Sequence, residues 1–242
     1  MDMTKLTKPA RKLLPLKTCG AVIVAAGNAS RMGGIDKVMA ELKGEPMIAR
    51  TVWTFQECDA ISEIVIVTRE DLIRPIIDLC RDMGALKVKA VVRGGKSRQE
   101  SVSLGLNALS NKVKLAAVHD GARPLITWQV IDRTVRAANS YGAAAPAIPV
   151  KDTIKVVEGR VVKNTPDRST LFAVQTPQVF DFDLLRAALK KAEADGAAVT
   201  DDCSAVELMG MSVKIVEGDE HNIKVTTPMD LRIAEMLLEE EK

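Results

Sequence analysis

Aromatic side chains are scarce in this 242-residue chain, which has four Phe, two Trp and one Tyr. A surface that stacks successive bases of a single strand needs more than that, so such a binder is excluded. Long hydrophobic runs are missing too: stretches such as 21–26 fall far short of the roughly 18 residues that a membrane span requires. Only four cysteines occur (Cys19, Cys58, Cys80, Cys203), far apart and without a C-x-x-C pair. That pattern predicts buried small hydrophobes in a reducing cytoplasm and excludes a disulfide framework. The two histidines, His119 and His221, have neither the spacing of a metal pair nor that of a Ser/His/Asp arrangement. Charge of one sign is also lacking. Thirty-four Lys and Arg nearly cancel 32 Asp and Glu, leaving +2, so no overall field recruits nucleic acid or an anionic membrane.

A full apolar complement is present, 47% of residues with 15 Gly and 10 Pro, which excludes collagen-like and disordered chains. Residues 1–17 hold five basic residues against Asp2 and lack a signal peptide's apolar core. They are predicted to form a basic tail of charge +4, leaving −2 on the other 225 residues. Residues 18–242 are predicted to fold as one α/β domain. Strands are predicted at Cys19–Ala26, Ile64–Thr68, Val88–Val92, Leu115–His119 and Ala143–Val150. They are mostly continuous apolar runs, as in a parallel sheet covered on both faces by helices.

Helix starts are legible between the strands. Pro46 precedes Met47, Ile48, Val52 and Phe55. Ser97-Arg-Gln-Glu100 reads as a capping box for a helix through Leu109. Thr127 caps a helix ending near Gly142, Asp181 or Asp183 opens one running to Ala194, and Thr227-Pro228 opens the last. Thr153–Asn164 alternates polar and apolar residues about Glu158-Gly159, a hairpin signal. A two-stranded ribbon cannot stand alone, so an arm over about 151–168 must pack on the body or on a second subunit.

Four segments suggest chemistry. The loop 25–37 follows the first strand with Ala25, Ala26 and Gly27, small residues that let backbone N–H groups approach a phosphate, and it carries two cations, Arg31 and Lys37. It lacks the glycines of a dinucleotide fingerprint. Gly94-Gly95-Lys96-Ser97 ends like a Walker A loop, but Ala90 stands where the first glycine belongs. Its glycines suit a base or ribose, with Ser101 one turn on. Asp120, at the end of the fourth strand in His119-Asp120-Gly121-Ala122-Arg123-Pro124, suits a ribose hydroxyl or a hydrated Mg²⁺, or pairs with Arg123. Lys224 alternates with Ile223 and Val225, so it points away from their face of a short predicted strand. In Thr200-Asp201-Asp202, capping a helix to Leu208 is the simplest role.

AAGNASRMGGIDK, GGKSRQESVSLGL, VHDGARP, PVKDTIK, DRSTLFAVQTPQ, TDDCSA and NIKVTTPMDL stand in one order from Cys19 to the C-terminus. In that order they resemble the 2-C-methyl-D-erythritol 4-phosphate cytidylyltransferases of the non-mevalonate isoprenoid pathway. Ala29 and Asp36 depart from the Gly and Pro usual there. The resemblance implies a Rossmann-like nucleotidyltransferase fold, a mostly parallel sheet covered by helices, whose protruding β-arm builds a homodimer. It implies Mg²⁺-dependent, cytoplasmic transfer of CMP from CTP to the polyol phosphate.

By motif, Arg31 and Lys37 contact the triphosphate, while Ala25, Ala26 and Gly27 line the nucleotide. Gly95 and Ser101 lie by the cytosine, and Asp120 and Arg123 near ribose and substrate. Thr153, Arg168, Thr176 and Lys224 hold the methylerythritol phosphate, those on the arm serving the partner's site. Mg²⁺ is expected mainly on the CTP phosphates. Ribitol 5-phosphate cytidylyltransferases share several of these motifs and are the first alternative. The others are a non-catalytic nucleotide-binding protein and a glycosyltransferase with Asp201-Asp202 as a metal pair.

Overall fold

Eight strands form one sheet in the order Phe172–Val174, Ala143–Pro149, Gln178–Asp181, Leu115–Asp120, Cys19–Ala25, Glu63–Thr68, Val88–Arg93, with Lys214–Glu217 also pairing Ala143–Pro149. The computed structural model describes residues 15–27 and 38–240. The elements are β1 (Cys19–Ala25), a ribbon of β2 (Glu41–Leu42) and β3 (Glu45–Pro46), α1 (Met47–Glu57), β4 (Glu63–Thr68), α2 (Ile73–Asp82) and β5 (Val88–Arg93). They continue with α3 (Arg98–Ala108), β6 (Leu115–Asp120), α4 (Trp128–Tyr141), β7 (Ala143–Pro149), β8 (Val156–Glu158), β9 (Val161–Asn164), β10 (Phe172–Val174) and β11 (Gln178–Asp181). The last are α5 (Phe182–Ala194), α6 (Asp202–Glu207), β12 (Lys214–Glu217) and α7 (Pro228–Glu240).

Parallel pairing joins β1 to β4 and β6, β4 to β5, and β7 to β12. The expectation of a mostly parallel sheet holds, with two exceptions: β11 runs antiparallel between β6 and β7, and β10 runs antiparallel to β7. Two cores cover the faces. Ile23, Phe55, Ile64, Ile66, Leu115 and Ile131 pack on one side, and Val22, Val67, Leu106, Val118, Phe180 and Leu189 on the other. On β1, β4 and β6 the residues facing either way are buried, Val24 alone only partly, which is why these strands read as continuous apolar runs.

The chain leaves β1 toward β4 and β5, then crosses to β6 on β1's other side. Ligands of open α/β sheets bind beyond the strands' carboxyl ends at such a reversal. Residues 1–14 of the predicted basic tail lie outside the described residues. Pro15–Lys17 are fixed to the body: the Lys17 N–H donates to Asn139 Oδ1 at 3.0 Å, and Lys17 Nζ meets Asp181 at 3.2 Å. Asp181 therefore spends its carboxylate on Lys17 and makes no side-chain cap on α5.

The hairpin stands apart, β8 pairing only with β9. Its turn is centred one residue later than predicted, on Gly159 (φ 54°) and Arg160 (φ 68°). Two positive φ values are what a twisted two-residue hairpin turn demands. Val156, Val157, Val161 and Val162 are all exposed on it.

Close packing of α3 on the sheet depends on Gly105. A Cβ there would lie 2.4 Å from Val22 Cγ1 and 2.8 Å from Val67 Cγ2. Alanine gains about 1 kcal/mol of helix propensity but overpacks the core at about 1–3 kcal/mol. Gly105→Ala is expected to lower stability by about 1 kcal/mol, read as a lower urea midpoint at unchanged m-value.

Candidate active site

A cleft of about 800 Å³ opens at the carboxyl ends of β1, β4, β5 and β6. Its floor is built of small residues. Gly94, after β5, sits so close to β1 that a Cβ would meet that of Ala26 at 2.4 Å. The Gly95 N–H donates to Ser101 Oγ at 3.1 Å, and that hydroxyl donates to the Ser97 carbonyl at 2.8 Å. The capping box forms with a shift: Ser97 Oγ accepts from Glu100 N–H at 3.0 Å, while Glu100 reaches back to the Lys96 N–H at 2.6 Å. α3 therefore starts rigidly with Arg98 facing the cleft.

Asp120 ends β6 at the centre of a charge cluster. Its Oδ2 lies 2.7 Å from Lys224 Nζ and 4.0 Å from Arg123 Nε, and its Oδ1 3.5 Å from Arg98 Nε. Burial pushes this carboxyl's pKa up, but Lys224 and Arg98 outweigh it and hold it at about 2. The sequence left pairing with Arg123 open; Lys224 is the closer partner.

Behind Asp120 lies a hydrogen-bonded chain. The Asp120 N–H donates to Thr176 Oγ1 at 3.1 Å, and that hydroxyl lies 3.0 Å from His119 Nδ1. His119 Nε2 is 3.3 Å from the Arg123 carbonyl, which only accepts, so Nε2 carries the proton and Nδ1 accepts from Thr176. The ring is fully enclosed against Phe55, and burial pulls its pKa down to about 3. His119 is therefore a neutral structural group.

The Lys224 segment is extended without joining a strand ladder, contrary to the expectation of a short strand. One backbone bond, Val225 N–H to the Ala122 carbonyl at 2.8 Å, ties it to the loop after β6. Val225 is buried beside Leu125 and Ala234, which leaves Lys224 pointing into the cleft. Asn222, fully buried, donates to the Thr176 carbonyl at 3.0 Å and accepts Arg123 Nη1 on its own carbonyl at 2.6 Å.

Of the residues expected at the site, Ala25, Ala26, Gly27, Gly95, Ser101, Asp120 and Lys224 line the cleft together. Thr176 and Arg123 support it from inside: Thr176 Oγ1 is bonded to the Asp120 N–H and His119, and Arg123 Nη1 donates to the Asn222 carbonyl, while its buried Nε makes no hydrogen bond among the described residues. Thr153 and Arg168 lie by the arm, both exposed, with Arg168 Nη1 donating to the Lys151 carbonyl at 2.7 Å. Arg31 and Lys37 lie outside the described residues. Sequence reasoning missed Arg98 and the arginines Arg69 and Arg93 at the mouth. For Arg98 the signal was its place immediately after the cap of α3. Asp201 caps α6 through the Ser204 N–H at 2.9 Å, and Asp202 is enclosed against Arg98, so the two present no paired metal ligands. No cluster of three metal-ligating side chains occurs among the described residues.

The family model for 2-C-methyl-D-erythritol 4-phosphate cytidylyltransferase matches residues 19–240. A protein of that name from Symbiobacterium thermophilum is 46% identical over 223 residues, spanning 91% of this chain and 92% of its own. One from Halalkalibacterium halodurans is 45% identical over 222 residues, spanning 91% and 97%. A solved 4-diphosphocytidyl-2C-methyl-D-erythritol synthase from Anaerococcus prevotii superposes with a TM-score of 0.84. It is 32% identical and spans 92% of this chain and 96% of its own. The 2-C-methyl-D-erythritol 4-phosphate cytidylyltransferase of Thermus thermophilus gives 0.75 at 31% identity, spanning 90% and 98%.

The neutral, enclosed His119 makes stability depend on pH. Its native pKa is depressed below the ordinary 6.5, so the unfolded chain binds a proton that the native protein refuses. This contribution is complete above about pH 6.5 and is lost as pH falls toward 3, a loss on the order of a few kcal/mol. Urea midpoints are expected to fall steeply between pH 6 and 4, and to fall much less in His119→Asn.

Proposed function

The chain belongs to the 2-C-methyl-D-erythritol 4-phosphate cytidylyltransferase family, and from that premise we propose how its cleft transfers CMP from CTP to methylerythritol phosphate. The observation that carries the reading is the Asp120–Lys224 pair, set among cations at the carboxyl ends of a nucleotide-binding type of sheet. A phosphate oxygen of the acceptor attacks the α-phosphorus of CTP. The bond from that phosphorus to the bridging oxygen breaks, and pyrophosphate leaves. The second pKa of a phosphate monoester is about 6, so the nucleophile is already an anion at neutral pH. No general base is required, in keeping with a His119 that stays neutral and enclosed.

The protein has to bring two anions together and absorb the charge that grows on the leaving group. Lys224 meets the acceptor phosphate while Asp120 keeps its ammonium aimed into the cleft. Arg31 and Lys37, assigned by motif, serve the triphosphate. Gly95 and Ser101 receive the cytosine ring, and the close Gly94–Ala26 approach leaves a flat floor for it. Arg168 and Thr153 reach the acceptor in a partner's cleft, within a homodimer whose arms bury the exposed valines; bare apolar patches of this kind mark interaction surfaces.

Mg²⁺ fits the donor set as an ion carried by CTP. Asp120 and Glu70 are the carboxylates lining the cleft among the described residues, and Glu70 already meets Arg93 at 3.1 Å. A cation that keeps its waters and takes most ligands from phosphate needs no more than one such carboxylate. When bound, it supplies neutralisation of the phosphate charges. Four free, buried cysteines suit a reducing cytoplasm as the setting of the reaction.

Pyrophosphate release is expected from CTP and methylerythritol phosphate; silence there with turnover of ribitol 5-phosphate would move the assignment to that acceptor. Lys37→Ala and Lys224→Ala should each lower kcat/KM by about 10²–10³ with folding retained, and near-normal turnover in both would remove them from the site. For the arm, a Val157→Asp/Val162→Asp variant should sediment as a monomer and lose turnover. A variant that stays dimeric refutes the arm's role.

A further inference from the structure

Resting on that cytidylyl transfer, we infer that Asp202 and Arg98, neither assigned a role above, act as a pair of positioning residues that holds Asp120 and hence Lys224. Asp202 lies outside the cleft, with its side chain 1% exposed. Arg98 Nη2 stands 2.8 Å from its Oδ2 as an ion pair, and neither carboxylate oxygen takes a well-aligned hydrogen bond among the described residues. A charge so enclosed is costly unless paired, so Asp202 fixes the guanidinium in place. The same guanidinium presents Nε to Asp120 Oδ1 at 3.5 Å, leaving Oδ2 for Lys224 at 2.7 Å.

The anchor itself is rigid. Gln178 Oε1 accepts from the N–H groups of both Asp202 and Cys203 at 3.0 Å, and its Nε2 donates to Asp201 Oδ2 at 2.7 Å. A line of contacts thus runs from β11 through α6 and α3 to the acceptor lysine. The charged and titratable groups facing Asp120 are Lys224, Arg98, Arg123 and His119, with Asp202 behind Arg98. Removing Arg98 and Asp202 together leaves Lys224 as its one close cation, since Arg123 stands farther off at 4.0 Å.

The test separates positioning from mere structure. Apolar residues of similar size replacing a buried ion pair are often neutral for stability or better. Arg98→Met/Asp202→Leu is therefore expected to melt within about 3 °C of wild type. Its kcat/KM for methylerythritol phosphate should still fall at least about tenfold, because small misplacements at a reacting centre are costly. Carbon-13 NMR should find Asp120 titrating clearly higher than in wild type, where Lys224 and Arg98 hold its carboxyl below the usual range. If that double variant does not fold, Arg98→Met/Asp202→Asn, which also removes the guanidinium and leaves no unpaired buried charge, carries the same two readouts, with the loss on kcat rather than on the KM for CTP. Wild-type turnover, or an unmoved Asp120 titration, overturns the inference. A wild-type protein that releases no pyrophosphate retires the functional reading alone, and the Asp120 titration still decides this one.

Discussion

One carboxylate organises the cleft. Asp120 divides its oxygens between Lys224 on one side and Arg98 on the other. The proposed phosphate site has an evident use for lysine and arginine and a less evident one for an acid. Cations crowded at a strand end without ligand would repel one another and swing out to water. An enclosed anion gathers them and sets their direction before any phosphate arrives. With a pKa held near 2, it keeps that charge across the working range of pH. On the proposed reading, an arriving phosphate shares a Lys224 already held in place rather than capturing a mobile side chain, which lowers the ordering cost of binding.

Much of the surrounding architecture keeps Asp120 in that position. Parallel pairing brings the ends of β1, β4, β5 and β6 to one edge, and the glycines after β5 draw the cleft floor tight. Lys224 arrives from 104 residues farther along the chain. Its segment is short of backbone hydrogen bonds, so buried groups hold it: Val225 against Leu125 and Ala234, and Asn222 against Thr176 and Arg123. α7 is capped reciprocally, Thr227 Oγ1 accepting from the Asp230 N–H while Asp230 accepts from the N–H groups of Thr226 and Thr227. The C-terminal helix thereby becomes part of the support for the lysine proposed to meet the acceptor phosphate.

What could be read from the sequence follows from how local each signal is. β1, β4 and β6 were legible because burial on both faces leaves an unbroken apolar run, and α3 because Ser97 and Glu100 sit at capping distance. That Lys224 points away from Ile223 and Val225 was legible from their alternation, though neither its aim into the cleft nor the lack of a ladder was. β11 was not legible: four residues, Gln178–Asp181, carry no period, and their antiparallel insertion is decided by β6 and β7. Arg98 and Asp202 escaped for a related reason. An acid in Thr200-Asp201-Asp202 reads locally as a helix cap, which is true of Asp201. Only the fold brings Asp202 onto a guanidinium 104 positions earlier.

A chain of net charge +2 thus makes an anion site by placement rather than by composition. Among the described residues lining the cleft, Arg69, Arg93, Lys96, Arg98 and Lys224 face Glu70 and Asp120, an excess of three positive charges. The same chain carries 32 acids, so the excess is local and would be invisible at more than a Debye length of about 8–10 Å. That suits a small, highly charged ligand, which enters the cleft and feels the excess at contact. A polymer spread over the surface would average the charges away. Near-neutrality and a phosphate site are therefore compatible: the first keeps polyanions off, and the second is built from a few cations that one buried carboxylate holds in register.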